Sequence, residues 1–266
     1  MSHHTYVALD LGAESGRSIL GTLQDTRLSV EELFRFPNHM KHVEGHLRWD
    51  LDELFANIKE GLRCSDRSSV RPESVAVDTW GVDFGFLQGD GTLLESPYAY
   101  RDHRTDGMME QFFELVPRQR VYDLTGVQFM QLNSLFQLYA AVLADPALFK
   151  RATRLLFMPD IFSYFLTGET KSEFTVATTS QLFNPRKRDW DAELLSALGI
   201  PRSVMQEIVH PGTLLGPVKQ SIAVETGLEG VGVIAVASHD TGSAIAAIPA
   251  HGEDWAYISS GTWSLM

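Results

Sequence analysis

Short runs rich in apolar residues, separated by turn chemistry, open the chain: "YVALDL", "RSILGTL" and "LSVEELFRF" predict three strands, and "GHLRWD" a brief fourth. From Leu51 the period lengthens. Leu51, Leu54, Phe55, Ile58 and Leu62 recur at helical spacing, with Asp50 or Asp52 near the start as caps and Asn57, Lys59 and Glu60 on the other face. This predicts an amphipathic helix packed on a sheet. In "SVAVDTWGVDFGFLQGDGTLL" a strand is predicted to end at Asp78, and "GDG" to turn a hairpin after "VDFGFL".

From Thr105 to about Ser203 the pattern is mostly helical, clearest in "TDGMMEQFFELV", "NSLFQLYAAVLADPALF", "DIFSYFLTG" and "DAELLSALGI". An apolar strand, Val233 to Ala237, then runs into a helix of small residues, and "WAYISSGTWSLM" reads as a final strand. "NPRKRDW" and "HPGTLLGP" are the loop candidates, and no repeat or low-complexity tract interrupts the chain. The order predicts an α/β fold, a mixed sheet with helices packed against it.

The 266 residues, 44% hydrophobic, suffice for one large domain or two small ones. A formal charge of −12 and no dense Lys/Arg cluster argue against nucleic acid or an anionic membrane as partner. Cys64 is the only cysteine, which excludes an intrachain disulfide and a cysteine-rich zinc site and fits a reducing cytoplasm. Neither a signal peptide nor a membrane span is legible, so a soluble, cytoplasmic protein is expected.

Candidate chemistry begins at the first turn, "LDLGAESGRS". Glycine lets backbone N–H groups converge on an anion, so the turn is a candidate phosphate site. It is not a P-loop, because Gly16 follows Gly12 too soon and no lysine comes next; nor is it a dinucleotide fingerprint, because a strand rather than a helix follows. What remains is a β-hairpin that cradles phosphate, with Asp10 as the metal-side carboxylate and Arg17 near the phosphates, or else a plain hairpin with its glycines at positive φ. In "VIAVASHDTGSAIAAIP", His239, Asp240 and Thr241 stand where a strand gives way to a helix. Asp240 is there either a general base toward a hydroxyl or a helix N-cap. Between them, Trp80, Gly81, Asp83, Phe84, Arg101, Asp102, His103 and Arg104 combine an aromatic face with charged groups, as a polyhydroxyl ligand needs. No second histidine is spaced to make His103 a zinc ligand.

Together and in this order, "ALDLGAESGRS", "DTWGVDFGFL", "AYRDHRT", "MPDIFSYFLTG", "EFTVATTSQL", "VASHDTGSAIAAIP" and "ISSGTWSLM" closely resemble the FGGY carbohydrate kinases of the actin/Hsp70-like ATPase superfamily. "DTWGVDF", and "SHDT" paired with "SSGTWSLM", look like the rhamnulokinase branch rather than glycerol, xylulose or gluconate kinases. The resemblance implies an RNase H-like (actin-like ATPase) α/β domain, its mixed sheet flanked by helices and carrying a helical insertion. Residues 1–250 would be the sugar-binding domain with the phosphate hairpin, and 251–266 the first strands of a truncated nucleotide-binding domain. The implied reaction moves the γ-phosphate of ATP, with Mg2+, to the 1-hydroxyl of L-rhamnulose in L-rhamnose catabolism. This chain would have little turnover, because the missing C-terminal domain would complete the cleft. A kinase for another ketose and a non-enzymatic sugar- or phosphate-binding fragment are the alternatives.

Carried over by position, Ala13, Glu14, Ser15, Gly16 and Arg17 look like the ATP-phosphate hairpin, and Thr262 like an ATP-contacting threonine. Asp10 resembles the Mg2+-associated aspartate. Gly81, His239, Asp240 and Thr241 match substrate-contacting positions, with Trp80 beside them, and Asp240 is similar to the catalytic proton acceptor. Glu14 stands where other members carry a small polar residue.

Overall fold

The computed structural model describes residues 3–67, 71–260 and 264–266. Three strands, β1 (His3–Leu11), β2 (Ser15–Gln24) and β3 (Arg27–Pro37), form an antiparallel meander, followed by a small ribbon of β4 (Met40–Val43) and β5 (His46–Trp49). Helix α1 (Leu51–Arg67) leads to β6 (Ser74–Thr79) and β7 (Phe84–Leu87). Then come α2 (Met108–Leu115), α3 (Arg118–Thr125), α4 (Ser134–Ala144), β8 (Arg154–Phe157) and α5 (Met158–Thr167). Short elements follow: β9 (Ser172–Glu173), α6 (Phe174–Thr179), β10 (Phe183–Asn184), β11 (Asp189–Trp190), α7 (Ala192–Ala197) and β12 (Ile208–Val209). The last are β13 (Thr213–Pro217), α8 (Gln220–Thr226), β14 (Gly232–Ala235), α9 (Asp240–Ala246), β15 (Ser259–Ser260) and β16 (Ser264–Leu265).

The main sheet has six strands in the order β13-β14-β6-β1-β2-β3. β6 runs parallel to β1 and β14 parallel to β6, while β13 is antiparallel at the edge. The expected mixed sheet flanked by helices is therefore what forms. Period-2 burial of Thr5, Val7, Leu9 and Leu11 turns one face of β1 inward, and α1 covers the sheet with Leu51, Leu54, Ile58 and Leu62. Its first turn is capped as the sequence predicts: Glu53 N donates to Asp50 Oδ1 at 3.0 Å. A second apolar cluster, built on Phe112, Val121, Leu135, Phe136, Leu155 and Phe157, is the core of the helical insertion. Among the described residues no helix is long and apolar enough to cross a membrane.

Four local expectations change. "HPGTLLGP" is not only loop: Thr213–Pro217 is the edge strand β13, paired with β14 across a bulge at Leu214/Gly216. The turn at "GDG" forms, with Gly91 at φ 84°, and the hairpin it makes is short: the Leu87–Leu93 bridge, with Gln88 N donating to Thr92 O and Leu94 N to Phe86 O, both at 2.8 Å. Pro97 soon breaks that run, and β7 takes its ladder from β8 instead. β4 has no strong apolar pattern and goes unforeseen. "WAYISSGTWSLM" is not one strand, since β15 and β16 pair antiparallel with each other.

Candidate active site

The carboxyl-terminal ends of β1 and β6 and the turn after β14 open on one cavity of about 610 Å3. Asp10 and Asp240 both line it, together with Ala13, Arg17, Trp80, Gly81, His239 and Thr241. The early hairpin and the late turn thus share one site, and sheet register is the reason. Parallel pairing sets Asp10 beside Asp78, and antiparallel pairing sets it beside Arg17, whose Nε donates to Asp10 Oδ2 at 2.8 Å. Thr79 N donates to Ser238 O at 2.9 Å, which ties the residues before Asp240 to the same sheet end.

Like charges crowd here. Burial pushes Asp78 well above the ordinary carboxylate value, and the charges of Asp10 and Asp240 push it further. Asp240 is also raised, by burial first and by Asp10, against the opposing pull of His239 and the Thr241 donors. Burial lowers His239, disfavouring its charged form against the opposing charges of Asp240 and Glu173. Asp240 is not the N-cap of α9: that position belongs to His239, which makes no side-chain cap bond. Asp240 Oδ1 instead accepts from Thr241 N at 2.6 Å and Thr241 Oγ1 at 3.2 Å, in the first turn of the helix.

The wall of the cavity is fixed from behind by Asp83, a fully buried carboxylate. Its Oδ2 accepts from Trp49 Nε1 (2.6 Å), Trp80 Nε1 (3.0 Å) and Tyr100 N (3.1 Å), and its Oδ1 from Gln137 Nε2 (2.9 Å). Burial nonetheless raises it to about 6. Gly81 lies so close to α6 that a Cβ would sit 2.9 Å from Thr179 Cγ2, and Thr179 Oγ1 accepts from Val82 N at 3.0 Å. Val82 adopts φ 68°, a strained conformation for a β-branched residue, and it too lines the cavity.

The turn that presents Asp240 hangs on Glu173, which the sequence did not single out. Glu173 Oε2 caps α6, accepting from Thr175 N (2.9 Å), Thr175 Oγ1 (2.5 Å) and Val176 N (3.2 Å). The same oxygen accepts from Ser238 N (3.0 Å) and Ser238 Oγ (2.8 Å), while His239 N donates to Thr175 Oγ1 at 3.1 Å.

Other candidates fall elsewhere. Glu14 in the first turn and Ser15 and Gly16 at the start of β2 do not line the cavity, and Glu14 is exposed. Neither Gly12 nor Gly16 has positive φ. Gly16 is needed because a Cβ would lie 2.2 Å from the Phe36 ring. Thr262 lies outside the described residues, although Ser259 and Ser260 just before it line the cavity. The central group divides: Trp80 and Gly81 face this cavity, whereas Phe84 and Arg104 face another. His103 does gain a second histidine, since His46 stacks on it at 5.3 Å between ring centroids, 57 residues away and invisible to local spacing. Asp102 between them is already engaged by His46 Nδ1 (3.0 Å), Leu47 N (2.7 Å) and Arg104 N (2.9 Å). Asp78 is the lining residue most open to discovery from sequence, because "VAVDT" repeats the pattern of an apolar run ending in aspartate seen in "VALDL".

A model of the N-terminal domain of the FGGY family of carbohydrate kinases matches residues 5–246. The chain is 46% identical over 261 residues to a Bacteroides thetaiotaomicron protein named rhamnulokinase, covering 98% of this chain and 54% of that protein. It is 42% identical over 268 residues to a Pectobacterium carotovorum rhamnulokinase, covering 100% and 53%. The chain thus spans about half the length of these curated relatives. Among solved structures, gluconate kinase from Lactobacillus acidophilus superposes with TM-score 0.80 at 17% identity, over 90% of this chain and 48% of that one, which establishes a shared fold.

Proposed function

The chain belongs to the FGGY family of carbohydrate kinases, and from that premise we propose that it is the sugar-binding half of a kinase that phosphorylates the 1-hydroxyl of L-rhamnulose. One observation carries the reading: Asp10 and Asp240 face each other's charge across a single cavity with an aromatic wall. Trp80 and Gly81 would receive the apolar face of the ketose, while His239 and Thr241 flank the hydroxyl to be phosphorylated. Asp240 would accept the O1 proton as that oxygen bonds to the γ-phosphorus and the bond to the leaving ADP oxygen breaks. Its raised basicity suits that task. Ala13 and Arg17 stand where the phosphates would lie, and residues 251–266 are read as the opening of a nucleotide-binding domain.

Sugar kinases of this family use ATP with a divalent metal. The oxygen donors of Asp10 and Asp78, with Asp240 near, have the chemistry Mg2+ prefers. They are not gathered into one tight ligand set; among the described residues the only group with three ligand atoms within 4.8 Å is His46, Asp102 and His103. Asp10 would therefore hold the ion largely through water, as Mg2+ commonly allows. Bound there, Mg2+ would offset charge on the phosphates. Calorimetric titration of the chain with L-rhamnulose tests the reading: saturable binding that disappears in Asp240→Ala is expected, and no saturable heat would refute it.

A further inference from the structure

A second cavity, of about 560 Å3, lies between β7, the segment 94–98 and the C-terminal half of α4. It shares no lining residue with the first. Its body is apolar, formed by Phe84, Phe86, Met108, Ala140 and Leu148.

The charged groups around it are almost all accounted for. Asp145 pairs with Arg151 at 2.5 Å, Glu95 with Arg48 at 2.8 Å, and His46 with Asp102 at 3.0 Å. Arg104 is the exception. It has no ion pair among the described residues, and the one hydrogen bond its side chain makes to them runs from Nη2 to Gln137 Oε1 at 2.9 Å. Its Nε is buried without a partner, and its guanidinium lies 3.7 Å from the centroid of the Tyr98 ring. Burial brings Arg104 down to about 10, although Tyr98, Asp83, Asp102 and Glu95 pull it back up through their charge without touching the guanidinium as an ion pair. A guanidinium carries five donors in a planar fork, and the acceptor that matches such a fork is a carboxylate.

We propose that this cavity binds a small organic carboxylate with an apolar body, its carboxylate held by Arg104 and its body packed on Phe84, Phe86 and Leu148. A dianion such as a phosphate ester fits less well, because Glu95 and Asp145 also line the cavity. A neutral ligand would leave the guanidinium as it is. The site is separate from the sugar reading and does not depend on it, although Gln137 joins the two: its Oε1 accepts from Arg104 while its Nε2 donates to Asp83 behind Trp80.

The test is calorimetric titration of the chain with phenylacetate and with its neutral isostere phenylacetamide. Phenylacetate is expected to saturate and to bind at least about tenfold more tightly than the amide, the difference a charge-assisted contact makes. Arg104→Met should weaken phenylacetate at least about tenfold. So should Ala144→Trp, at the exposed end of α4, which plugs the cavity without touching the core and so decides the matter if Arg104→Met does not fold. Equal binding of acid and amide, no saturation, or an affinity unchanged by Ala144→Trp would each overturn the proposal.

Discussion

A carboxylate that takes a proton must be ionised when it acts, and the burial of Asp240 beside Asp10 works against that. Turnover in a protein carrying both halves should therefore fall as pH drops through a value above the ordinary carboxylate range, an acid limb that a pH–rate profile would reveal. Asp240→Asn should lower kcat by about 10²–10⁴-fold with a smaller change in sugar affinity; undiminished kcat would remove Asp240 from the role. Asp83 offers a stability test. Its folded value of about 6 lies above the usual 3.8, so its protonated form favours the fold, an advantage complete below about 3.8 and lost as pH rises through about 6. Wild-type stability relative to Asp83→Asn should drop by ~3 kcal/mol between about pH 4 and 7, as measured by urea unfolding. Single residues were unevenly legible in the sequence. Asp10 and Asp240 could be nominated from turn chemistry, whereas Glu173 could not, because its hold on the turn before Asp240 exists only once Ser238, 65 residues on, is beside it.

Among elements, those whose stability is local were readable. Helix α1 carries its own apolar stripe and its own cap at Asp50, and β1 and β2 are joined by a turn with its own chemistry. Elements that exist only by pairing were not, as with β13 on the edge of β14 and β8 against β7. The turn between β14 and α9 belongs to the second kind. Because one Glu173 oxygen holds both α6 and Ser238, Glu173→Ala should destabilise the chain by ~3 kcal/mol in urea unfolding and weaken ketose binding as well. Glu173→Gln keeps the accepting oxygen and should restore most of both. A Gln variant as impaired as Ala would mean that charge, rather than the hydrogen-bonded clamp, holds the turn.

At the scale of the whole molecule, the sheet order β14-β6-β1-β2 places Asp240, Asp78, Asp10 and Arg17 side by side, although they come from distant parts of the chain. On the proposed reading the chain is one half of a cleft, which can bind without closing. With MgATP and L-rhamnulose the chain should release ADP slowly or not at all in a coupled assay, even where calorimetry shows the ketose bound, since water is not excluded from an open site. Rapid ADP release would show that these residues suffice for the reaction. By itself the sequence determined the α/β class, the amphipathic cover of α1 and the two turns that are candidates for chemistry, because periodicity, capping and turn preference act over a few neighbouring residues. Only the tertiary structure decided that the two turns meet, that Asp78 joins them, that Glu173 clamps one of them and that Arg104 is buried with no contacting carboxylate among the described residues. These depend on strand register and on which groups burial brings within hydrogen-bonding reach, and no short stretch of chain encodes either.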